Sequence, residues 1–503
     1  MIQNKLFYGD NIEVLRKYIK DETIDLCYID PPFNSKRNYN QIYNNIGKED
    51  KAQAQAFIDT WSWDDAAEKG VQEIVSNQGN VFTTQSIDLI LGLSKVLGKG
   101  SLLSYLVSMT LRVAEIYRIL KPTGSFYLHC DPTASHYLKL VLDSIFCSQK
   151  GDFQNEIIWS YKRYTASSSR FQRLHDIVFF YTKSDNFTFN QLREEYGEKS
   201  GVADSHYKQD EEGKWYRWQK RKGQEPYKIY LSEGRRSGDV WEMPIINASA
   251  KERLGYPTQK PESLLERIIN ASTNIDDIIL DAYCGCGTSV AVAERINRKW
   301  IGIDITYQSI SLILKRLEDS FGKTVLDNIE LNGVPKDMDS AIALANKSDD
   351  KVRKEFEKWA VLTFSNNRAV INDKKGGDGG IDGVVYVVDI NDKNEQVYKK
   401  VLFSVKSNKT LTPSVVRDLN GTIDREDAVM GYLLTLYPMD NLIKESKKYG
   451  LYENKLGFSY SKITVISVKE ILDGERLNLP ISNEVLKSAI RQNNEAEQGK
   501  INM

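Results

Sequence analysis

The feature that most constrains the fold of this chain is a short apolar run that ends abruptly in Asp-Pro-Pro-Phe. Residues 24–29 read Ile-Asp-Leu-Cys-Tyr-Ile, and such a run predicts a buried strand of a parallel sheet. Pro31 and Pro32 then end the strand, because proline has no N–H to donate to a neighbouring strand. We therefore expect Asp30 at the carboxyl end of a strand, where open α/β sheets bind their ligands.

The residues around Asp30 suit a flat ring that carries an amine. Asp30 can accept one hydrogen bond from the amine, the Pro31 carbonyl can accept the second, and Phe33 can stack on the ring. Pro32 stiffens the loop behind the acid. The alternative interpretation of these residues is a strand that ends in an acidic turn without a ligand.

A second strand, followed by a glycine turn and a helix, lies late in the first two thirds of the chain. Residues 278–282 predict the strand, and the turn 283–288 (Tyr-Cys-Gly-Cys-Gly-Thr) follows it. Gly285 and Gly287 allow the backbone to approach a ligand closely. Asp304 ends the next strand, and an acid about 20 residues after such a turn suits ribose hydroxyls. The complete dinucleotide fingerprint and the Walker lysine are missing, so the pattern favours neither NAD nor ATP.

Composition narrows the class of protein. A length of 503 residues allows two or three domains, and a net charge of -1 argues against a wholly basic nucleic-acid binder while allowing a local basic cleft. Five cysteines without a Cys-x-x-Cys pair fit a reducing compartment and argue against a structural zinc site. No apolar run has the length to cross a bilayer and no signal-peptide pattern is present, so we expect a cytoplasmic protein without membrane contact.

Two further stretches of the first third could contribute to a site. Asp10 follows a strand and Gly9, where it could hold a nucleotide-like ligand or, equally, cap the next helix. Residues 34–66 are polar and aromatic, and we expect a long loop that acts as a lid. The aromatic residues of this segment could line a pocket for the ring or simply pack under the loop; they are Tyr39, Tyr43, Trp61 and Trp63.

The middle of the chain has the composition of a nucleic-acid surface. Between residues 155 and 241, lysines and arginines alternate with Tyr, Trp and Phe, which suits phosphates and bases respectively. Residues 175–183 read as a core strand within this region. The alternative is a solvated insertion that binds nothing.

These motifs together resemble the amino-directed DNA methyltransferases that use S-adenosyl-L-methionine, in the beta-order subgroup, over about residues 1–320. In that subgroup the catalytic motif comes first, then the target-recognition region, then the cofactor motifs. The matching segments are Ile-Asp-Pro-Pro-Phe-Asn at 29–34, Tyr-Pro-Thr-Gln-Lys-Pro at 256–261, Leu-Asp-Ala-Tyr-Cys-Gly-Cys-Gly-Thr at 280–288 and Lys-Trp-Ile-Gly-Ile-Asp-Ile at 299–305. An aspartate in the first motif is similar to the adenine-N6 enzymes, whereas serine is commoner in the cytosine-N4 relatives.

The resemblance implies roles for individual residues. Asp30, Pro31, Pro32 and Phe33 would form the catalytic motif that holds the target amine and stacks on the flipped base. The residues implied for the cofactor are Asp10 by the adenine, Thr258 and Lys260 by the methionine end, Asp281, Tyr283, Gly285, Gly287 and Thr288 in the turn, and Asp304 at the ribose. Tyr283 stands where many relatives have Phe.

The C-terminal part resembles a different family, the Mrr-like restriction-nuclease domains of the PD-(D/E)xK group. Asp382, in a glycine-dense segment that also carries Asp378, and Lys406 at the end of a strand match that family. Ser404 stands where a metal-binding acid is expected, and Glu355 or Glu357 could supply one instead. Without that acid the domain would serve DNA binding or assembly; with it, a magnesium-dependent nuclease is implied.

The expected fold is α/β, with a Rossmann-like methyltransferase sheet, an inserted target-recognition region and a C-terminal α/β nuclease-like domain. The expected divisions are the catalytic half 1–154, the target-recognition region 155–250, the cofactor half 251–325, a connector 326–350, the nuclease-like domain 351–480 and a polar tail 481–503. The expected activity is site-specific adenine-N6 methylation of double-stranded DNA. The alternatives are cytosine-N4 methylation, a bifunctional restriction-modification protein and a catalytically silent DNA-binding protein. Relatives often form homodimers, and a restriction partner is expected.

Overall fold

A computed structural model of the chain describes most of its residues, and the expected tail 481–503 lies outside them. The described residues are 3–32, 37–45, 48–59, 61–163, 171–194, 207–220, 223, 225–230, 232, 234–247, 250–256, 258–346, 350–372, 380–390, 396–455 and 457–479.

The part of the chain up to residue 346 contains both strands and helices. The strands are β1 (Asn4–Tyr8), β2 (Ile24–Ile29), β3 (Arg37–Asn45), β4 (Lys48–Asp59), β5 (Leu120–Cys130), β6 (Asp152–Ser160), β7 (His175–Thr182), β8 (Arg193–Glu194), β9 (Lys208–Gln209), β10 (Trp215–Gln219), β11 (Tyr227–Tyr230), β12 (Arg235–Arg236), β13 (Val240–Glu242), β14 (Ile278–Asp281), β15 (Lys299–Asp304) and β16 (Ile329–Asn332). The helices are α1 (Asn11–Tyr18), α2 (Asp65–Ser76), α3 (Thr84–Leu97), α4 (Ser101–Ile119), α5 (Ser135–Ile145), α6 (Glu262–Ser272), α7 (Thr288–Arg295), α8 (Tyr307–Phe321) and α9 (Met338–Ala345).

A nine-stranded sheet in the order β13-β6-β7-β5-β2-β14-β15-β1-β16 forms the centre of this part. β2 pairs in parallel with β5 and β14, and β14 in turn pairs in parallel with β15, whereas β7 pairs antiparallel with both of its neighbours. All six residues of β2 are buried, as expected for a strand that is covered on both faces. The predicted α/β sheet is confirmed.

Alternate residues of each strand enter two different cores. On one face Leu26 and Tyr28 pack with α6 and α8, and on the other face Cys27 and Ile29 pack with α4 and α5. Because side chains alternate along a strand, this division fixes the register of the sheet. It also sets which side chains reach the carboxyl edge.

Three expectations about elements were wrong. Residues 37–59 form the antiparallel pair β3–β4 rather than a long loop, because strand pairing satisfies the backbone groups of this polar segment. The expected division between 154 and 155 cuts through β6, which stays in the central sheet because Ile157 and Trp159 are buried. The expected connector 326–350 contains β16, which extends the same sheet beside β1, and α9.

Outside the central sheet, the described residues of the expected target-recognition region form small groups of strands. β9, β10 and β11 form a three-stranded sheet, and β8 pairs with β12. In the first of these, Tyr216 pairs with Tyr230 and Trp218 with Lys228. Lys228 Nζ lies 4.3 Å from the centre of the Tyr216 ring, so one face of this sheet is both aromatic and basic.

The C-terminal part is a second α/β unit. Its elements are α10 (Asp350–Phe364), β17 (Val370–Ile371), β18 (Gly383–Ile390), β19 (Gln396–Lys406), α11 (Ser414–Arg425), β20 (Ala428–Thr435), α12 (Asp440–Ser446), β21 (Leu451–Glu453), β22 (Ser459–Ser461), β23 (Ile463–Ser467) and α13 (Val468–Leu472). The five-stranded sheet runs β17-β18-β19-β20-β23, with β19, β20 and β23 parallel.

One apolar core crosses from the central sheet into the C-terminal unit. Ile310 and Ile313 of α8 belong to the same cluster of buried residues as Phe356 and Trp359 of α10. The two units are therefore packed on each other through apolar side chains. Among the described residues, no helix is both long and apolar enough to span a membrane.

Candidate active site

Three aspartates come together at the carboxyl edge of the central sheet, because the strands that carry them are neighbours. Asp30 follows β2, Asp281 ends β14 and Asp304 ends β15, in that order across the sheet. Parallel strands present their carboxyl ends at one edge, where such sheets bind ligands. The structure therefore places Asp30 and the glycine turn at the same edge of the sheet.

Lys260 holds one carboxylate oxygen of Asp30, and the other oxygen has no donor among the described residues. The Lys260 ammonium donates a hydrogen bond to Asp30 Oδ2, and both side chains are largely buried, with 9% and 18% of their surfaces exposed respectively. Asp30 Oδ1 is also buried, and none of the described residues donates a hydrogen bond to it. A buried carboxylate oxygen without a donor is costly, so this atom is a candidate acceptor for a ligand N–H.

Lys260 has a hydrogen-bond partner that the sequence analysis did not predict. Its ammonium contacts Asp30, and it lies 3.4 Å from the Thr258 carbonyl oxygen. The resemblance placed Lys260 only near the methionine end of the cofactor, and the pairing with the catalytic acid was missed. The two residues are 230 positions apart, and no local pattern in the sequence marks such a pair.

Asp304 is tied to the glycine turn by backbone hydrogen bonds. Gly285 N donates to Asp304 Oδ2 at 2.9 Å, and Thr306 N donates to Oδ1 at 2.9 Å. Burial nevertheless raises the pKa of Asp304 to about 6. The Thr306 hydroxyl also donates to Oδ1, at 3.2 Å, and the Ser309 hydroxyl bonds to the same carboxylate, so protein groups use most of its acceptor positions.

Asp281 is directed into the turn. It accepts a hydrogen bond from Tyr283 N at 3.0 Å and another from the Ser289 hydroxyl. Burial raises its pKa to about 7, against the lowering effect of those two bonds. In the structure Asp281 therefore shapes the turn between β14 and α7.

The two glycines of the turn adopt left-handed backbone conformations. Gly285 has φ 52° and Gly287 has φ 71°. A Cβ atom at Gly285 would lie 3.1 Å from the Tyr256 ring, and one at Gly287 would lie 2.7 Å from Ile313 Cγ1. Both the conformation and the available space therefore require glycine.

Thr288 and Tyr283 are engaged by protein groups. Arg316 donates to the Thr288 hydroxyl at 3.1 Å and to the Cys286 carbonyl oxygen at 3.2 Å, which fixes the start of α7. The Tyr283 hydroxyl lies 3.9 Å from Met109 Sδ, and burial raises its pKa. Both residues are thus packed around the turn.

Asp10 caps α1, which confirms the alternative interpretation of this residue. Its carboxylate accepts from Ile12 N at 3.0 Å and pairs with Arg112 at 3.0 Å. Arg112 also donates to Asn11, whose amide reaches the Ala282 carbonyl oxygen at 2.9 Å. These bonds connect the end of β1 to the strand end at Asp281, and the sequence analysis did not identify them.

A buried polar chain behind Asp30 was also missed. Tyr28, two residues before Asp30, lies with its hydroxyl 3.0 Å from His129 Nδ1. His129 Nε2 lies 3.3 Å from Asp176, which accepts from the Tyr161 hydroxyl at 3.2 Å. Burial acts to raise the pKa of Asp176, but the hydrogen bonds and nearby positive charges together have the larger effect. The pKa of Asp176 is therefore lowered. The only available signal was one of four histidines standing inside an apolar strand.

In the C-terminal unit, Asp382 and Lys406 come close together beside Glu357. Val405 N donates to Asp382 Oδ2 at 2.6 Å, and Lys406 Nζ donates to the Ser404 hydroxyl at 3.1 Å. Burial, followed by the negative charge of Asp382, raises the pKa of Glu357 to about 7. Within the described residues, no group of three or more His, Cys, Asp or Glu is arranged to hold a metal ion.

Some predicted residues lie outside the description. Phe33 and Asp378 are not among the described residues, and for Tyr39 and Tyr43 only the backbone is described. Trp61 packs with its ring 5.3 Å from Tyr105, and the expected packing beneath this segment is thereby confirmed for Trp61. Trp63 donates to Glu68 at 3.1 Å, beside α2.

An open, mostly parallel sheet with acids and a glycine turn at one edge defines an α/β protein that binds a nucleoside-containing ligand at that edge. A family model described as DNA methylase matches residues 24–315, more than half of the chain. The chain therefore belongs to the N6/N4 family of DNA methyltransferases. The match includes Asp30 and Asp304 and ends before the C-terminal unit.

Two sequence relatives are also DNA methyltransferases, and one solved structure is similar in part. The chain is 29% identical over 243 residues to the type II methyltransferase M.HpaI of Haemophilus parainfluenzae, covering 48% of this chain and 66% of that protein. It is 25% identical over 319 residues to the DNA adenine methyltransferase YhdJ of Escherichia coli strain K12, covering 62% and 82%. The solved PvuII DNA methyltransferase, cytosine-N4-specific, aligns over 66% of this chain and 95% of its own at 15% identity, with a TM-score of 0.38.

Proposed function

We propose that this chain transfers a methyl group from S-adenosyl-L-methionine to the N6 amine of adenine in double-stranded DNA. The observation that carries the proposal is the state of Asp30. One of its oxygens is neutralised by Lys260, and the other is buried with no donor among the described residues. Such an oxygen is prepared to accept a hydrogen bond from an amine that enters the site.

The residues around the glycine turn fit the cofactor. At Gly285 a Cβ would lie 3.1 Å from the Tyr256 ring, so the position favours glycine, and we assign the bare backbone of this turn to the cofactor. Asp304 is the acceptor that we assign to the ribose hydroxyls, and Gly287 allows the turn to reach α7. The roles of Asp10, Thr258, Tyr283 and Thr288 stay predictions from the resemblance. When bound, S-adenosyl-L-methionine supplies an electrophilic methyl group.

The protein groups act on the target amine. An adenine amine is a poor nucleophile because its lone pair is delocalised into the ring. Hydrogen bonds from its two protons to Asp30 Oδ1 and the Pro31 carbonyl oxygen favour a more tetrahedral nitrogen. The amine releases one proton during transfer, and Asp30 is the nearest assigned acceptor. The base must leave the stack to reach this edge, and stacking on Phe33 offsets part of that cost.

The choice of adenine rests on the aspartate of the motif and on the name of the YhdJ relative. Cytosine-N4 methylation is the alternative, because cytosine also carries an exocyclic amine that Asp30 could hold. Expression in a host that lacks DNA methylation, followed by base-resolution mapping, distinguishes the two. N6-methyladenine in one motif supports the proposal, and N4-methylcytosine supports the alternative.

The same assay tests the role of Asp30. Asp30→Ala and Asp30→Asn should abolish the marks while purified protein still binds S-adenosyl-L-methionine. Asp131→Asn is the matched control, because Asp131 follows the neighbouring strand β5 and its described contacts are hydrogen bonds with Thr133 and an ion pair with Arg173 at 4.0 Å. Full activity of both Asp30 variants would refute the proposal.

A second candidate function is DNA cleavage by the C-terminal unit. The favouring observation is that Glu357 lies beside Asp382 and Lys406, where it could replace the acid missing at Ser404. Of the two glutamates considered, Glu355 is engaged elsewhere, by Tyr307. Two carboxylates and a lysine suit a magnesium-dependent nuclease.

Cleavage can be tested on the full chain. Unmethylated plasmid is incubated with Mg²⁺ or Mn²⁺, and Glu357→Gln and Lys406→Ala should both stop cutting. Absence of cutting by the unaltered chain, with either metal, would leave DNA binding or assembly as the role of this unit. The expectations of a homodimer and of a restriction partner stay predictions, and light scattering of the purified chain checks the first.

A further inference from the structure

The C-terminal unit reaches the edge of the proposed cofactor site through one carboxylate. Glu355, in α10, accepts a hydrogen bond from Tyr307 N at 2.9 Å and one from the Tyr8 hydroxyl at 3.5 Å, both to Oε2. Its other oxygen pairs with Lys358 at 2.9 Å. Only 14% of the Glu355 side chain is exposed, so these contacts form largely out of water.

Glu355 provides a hydrogen-bond acceptor for the first turn of α8, a helix of the methyltransferase part. Tyr307 is the first residue of α8, and the N–H groups of a first turn have no partner inside their own helix. Thr306 caps the helix by accepting from Ser309 N, and Glu355 accepts from Tyr307 N. A negative charge at this end is also favoured by the helix dipole.

This helix start is bonded directly to Asp304. Thr306 donates to Asp304 Oδ1 through both its N–H, at 2.9 Å, and its hydroxyl, at 3.2 Å. The strand on the other side contributes as well, since Gly9 N, which follows Tyr8, donates to the Asp304 carbonyl oxygen at 2.9 Å. Tyr307 and Tyr8, the two partners of Glu355 outside its own helix, are thus next in sequence to residues that bind Asp304.

We propose that Glu355 is a positioning residue for cofactor binding, through which the C-terminal unit holds the segment 304–307 and thereby orients the Asp304 carboxylate. This inference rests on the proposed function, because it assigns Asp304 to the cofactor. The C-terminal unit then contributes to cofactor binding whether or not it cuts DNA.

The test compares cofactor binding by full-length variants, measured by titration calorimetry well below the unfolding temperature. Glu355→Ala should weaken binding of S-adenosyl-L-methionine on the order of fivefold to tenfold. Glu355→Gln keeps an oxygen that can accept from Tyr307 N and should recover most of that loss. The KM for DNA should stay unchanged while the KM for the cofactor rises.

The matched control is Glu470, which caps α13 of the same unit by accepting from Ser467 N at 2.7 Å. Glu470→Ala removes a capping carboxylate that has no described hydrogen bond or ion pair to the methyltransferase part, and it should leave cofactor affinity unchanged even where the melting temperature falls. Equal affinity in Glu355→Ala and the unaltered chain would overturn the inference. An equal loss in the Glu470 variant would also overturn it, because the effect would then be general stability.

The inference and the proposed function fail in different ways. If the unaltered chain binds no S-adenosyl-L-methionine, the proposed function is wrong. If it binds and only the effect of Glu355 is missing, the proposed function stands and the positioning role falls. Should Glu355→Ala not fold, Glu355→Met keeps the size of the side chain without the acceptor for Tyr307 N, and unchanged cofactor affinity in that variant would overturn the inference.

Discussion

Lys260 donates a hydrogen bond to one carboxylate oxygen of Asp30 and leaves the other oxygen buried without a donor among the described residues. The ammonium balances the charge of the acid at a place that little water reaches. It also fixes which oxygen is free. We infer that the loop before α6 sets the orientation of the acid that follows β2.

Replacing Lys260 should slow methyl transfer. Lys260→Ala removes the donor to Asp30 Oδ2 and leaves a largely buried carboxylate without its positive partner, so the acid is no longer held in place. We expect kcat at neutral pH to fall at least tenfold. Steady-state kinetics measures the loss.

Lys139→Ala is the control for this prediction. Lys139 pairs with Asp143 at 2.6 Å on α5, so it is also a lysine–aspartate pair but lies away from the strand-end acids. Its kcat should match that of the unaltered chain. An unchanged kcat for Lys260→Ala would show that the pair does not position Asp30.

Cofactor affinity should fall on acidification because of Asp304. Burial raises its pKa to about 6. Only the ionised form accepts hydrogen bonds with both oxygens, so affinity should be constant above that pH and decrease below it. Titrations of S-adenosyl-L-methionine at several pH values measure the effect, and Asp304→Asn should bind weakly with no pH dependence of this origin.

The raised pKa of Asp304 also affects the stability of the ligand-free protein, which should decrease with rising pH whereas cofactor affinity increases. The folded chain binds the Asp304 proton more tightly than the unfolded chain, whose pKa is near 3.8. The contribution of Asp304 to stability therefore decreases as pH rises from near 4 to about 6, and it is flat above. Asp304→Asn loses an acceptor for one of the two N–H groups at this site and should melt lower overall, but its melting temperature should change less between pH 4 and about 6 than that of the unaltered chain. An equal pH dependence of the two melting temperatures would contradict this sign.

Gly287→Ala should destabilise the fold through two separate effects. The left-handed conformation costs about 1 kcal/mol for a residue with a Cβ, and overpacking adds about 1–3 kcal/mol. The second effect comes from Ile313 Cγ1, which would lie 2.7 Å from the new atom. Chemical denaturation measures the loss.

A double-mutant cycle separates the two effects in Gly287→Ala. Ile313→Ala removes the clashing atom and by itself costs about 2–5 kcal/mol, because Ile313 is fully buried. The double variant should be more stable than the sum of the single effects predicts. Strict additivity would show that only the backbone conformation matters.

What the sequence predicted well is local in origin. The strands that end at Asp30, Asp281 and Asp304 are short apolar runs with punctuating residues, and parallel strands place their ends together whatever the detailed packing. Gly285 and Gly287 were identified because a left-handed turn admits few other residues. These features need no knowledge of distant contacts.

What the sequence missed depends on contacts between distant segments. The pairing of Lys260 with Asp30 requires knowing how the loop before α6 crosses the sheet edge. The chain from Tyr28 through His129 requires the register of β2 against β5. β16 joins the sheet only because β1 offers an open edge, so a charged sequence around it appeared to be a connector.

The aromatic and basic face of the small sheet β9–β10–β11 should contact DNA. Trp218 is 55% exposed and lies on the same face as Lys228, whose ammonium is 5.8 Å from the centre of the indole. Trp218→Ala should weaken DNA binding about tenfold, as expected for loss of one stacking ring. Lys228→Ala should reduce the slope of log affinity against log salt concentration by about one, as expected for one phosphate contact.

Trp215→Ala is the matched control, since Trp215 is 49% exposed but points to the opposite face. Fluorescence anisotropy with a labelled duplex at several salt concentrations gives both quantities. An equal effect of the Trp215 variant would mean that DNA does not distinguish the two faces, and unchanged binding in both Trp218→Ala and Lys228→Ala would place the DNA contact elsewhere.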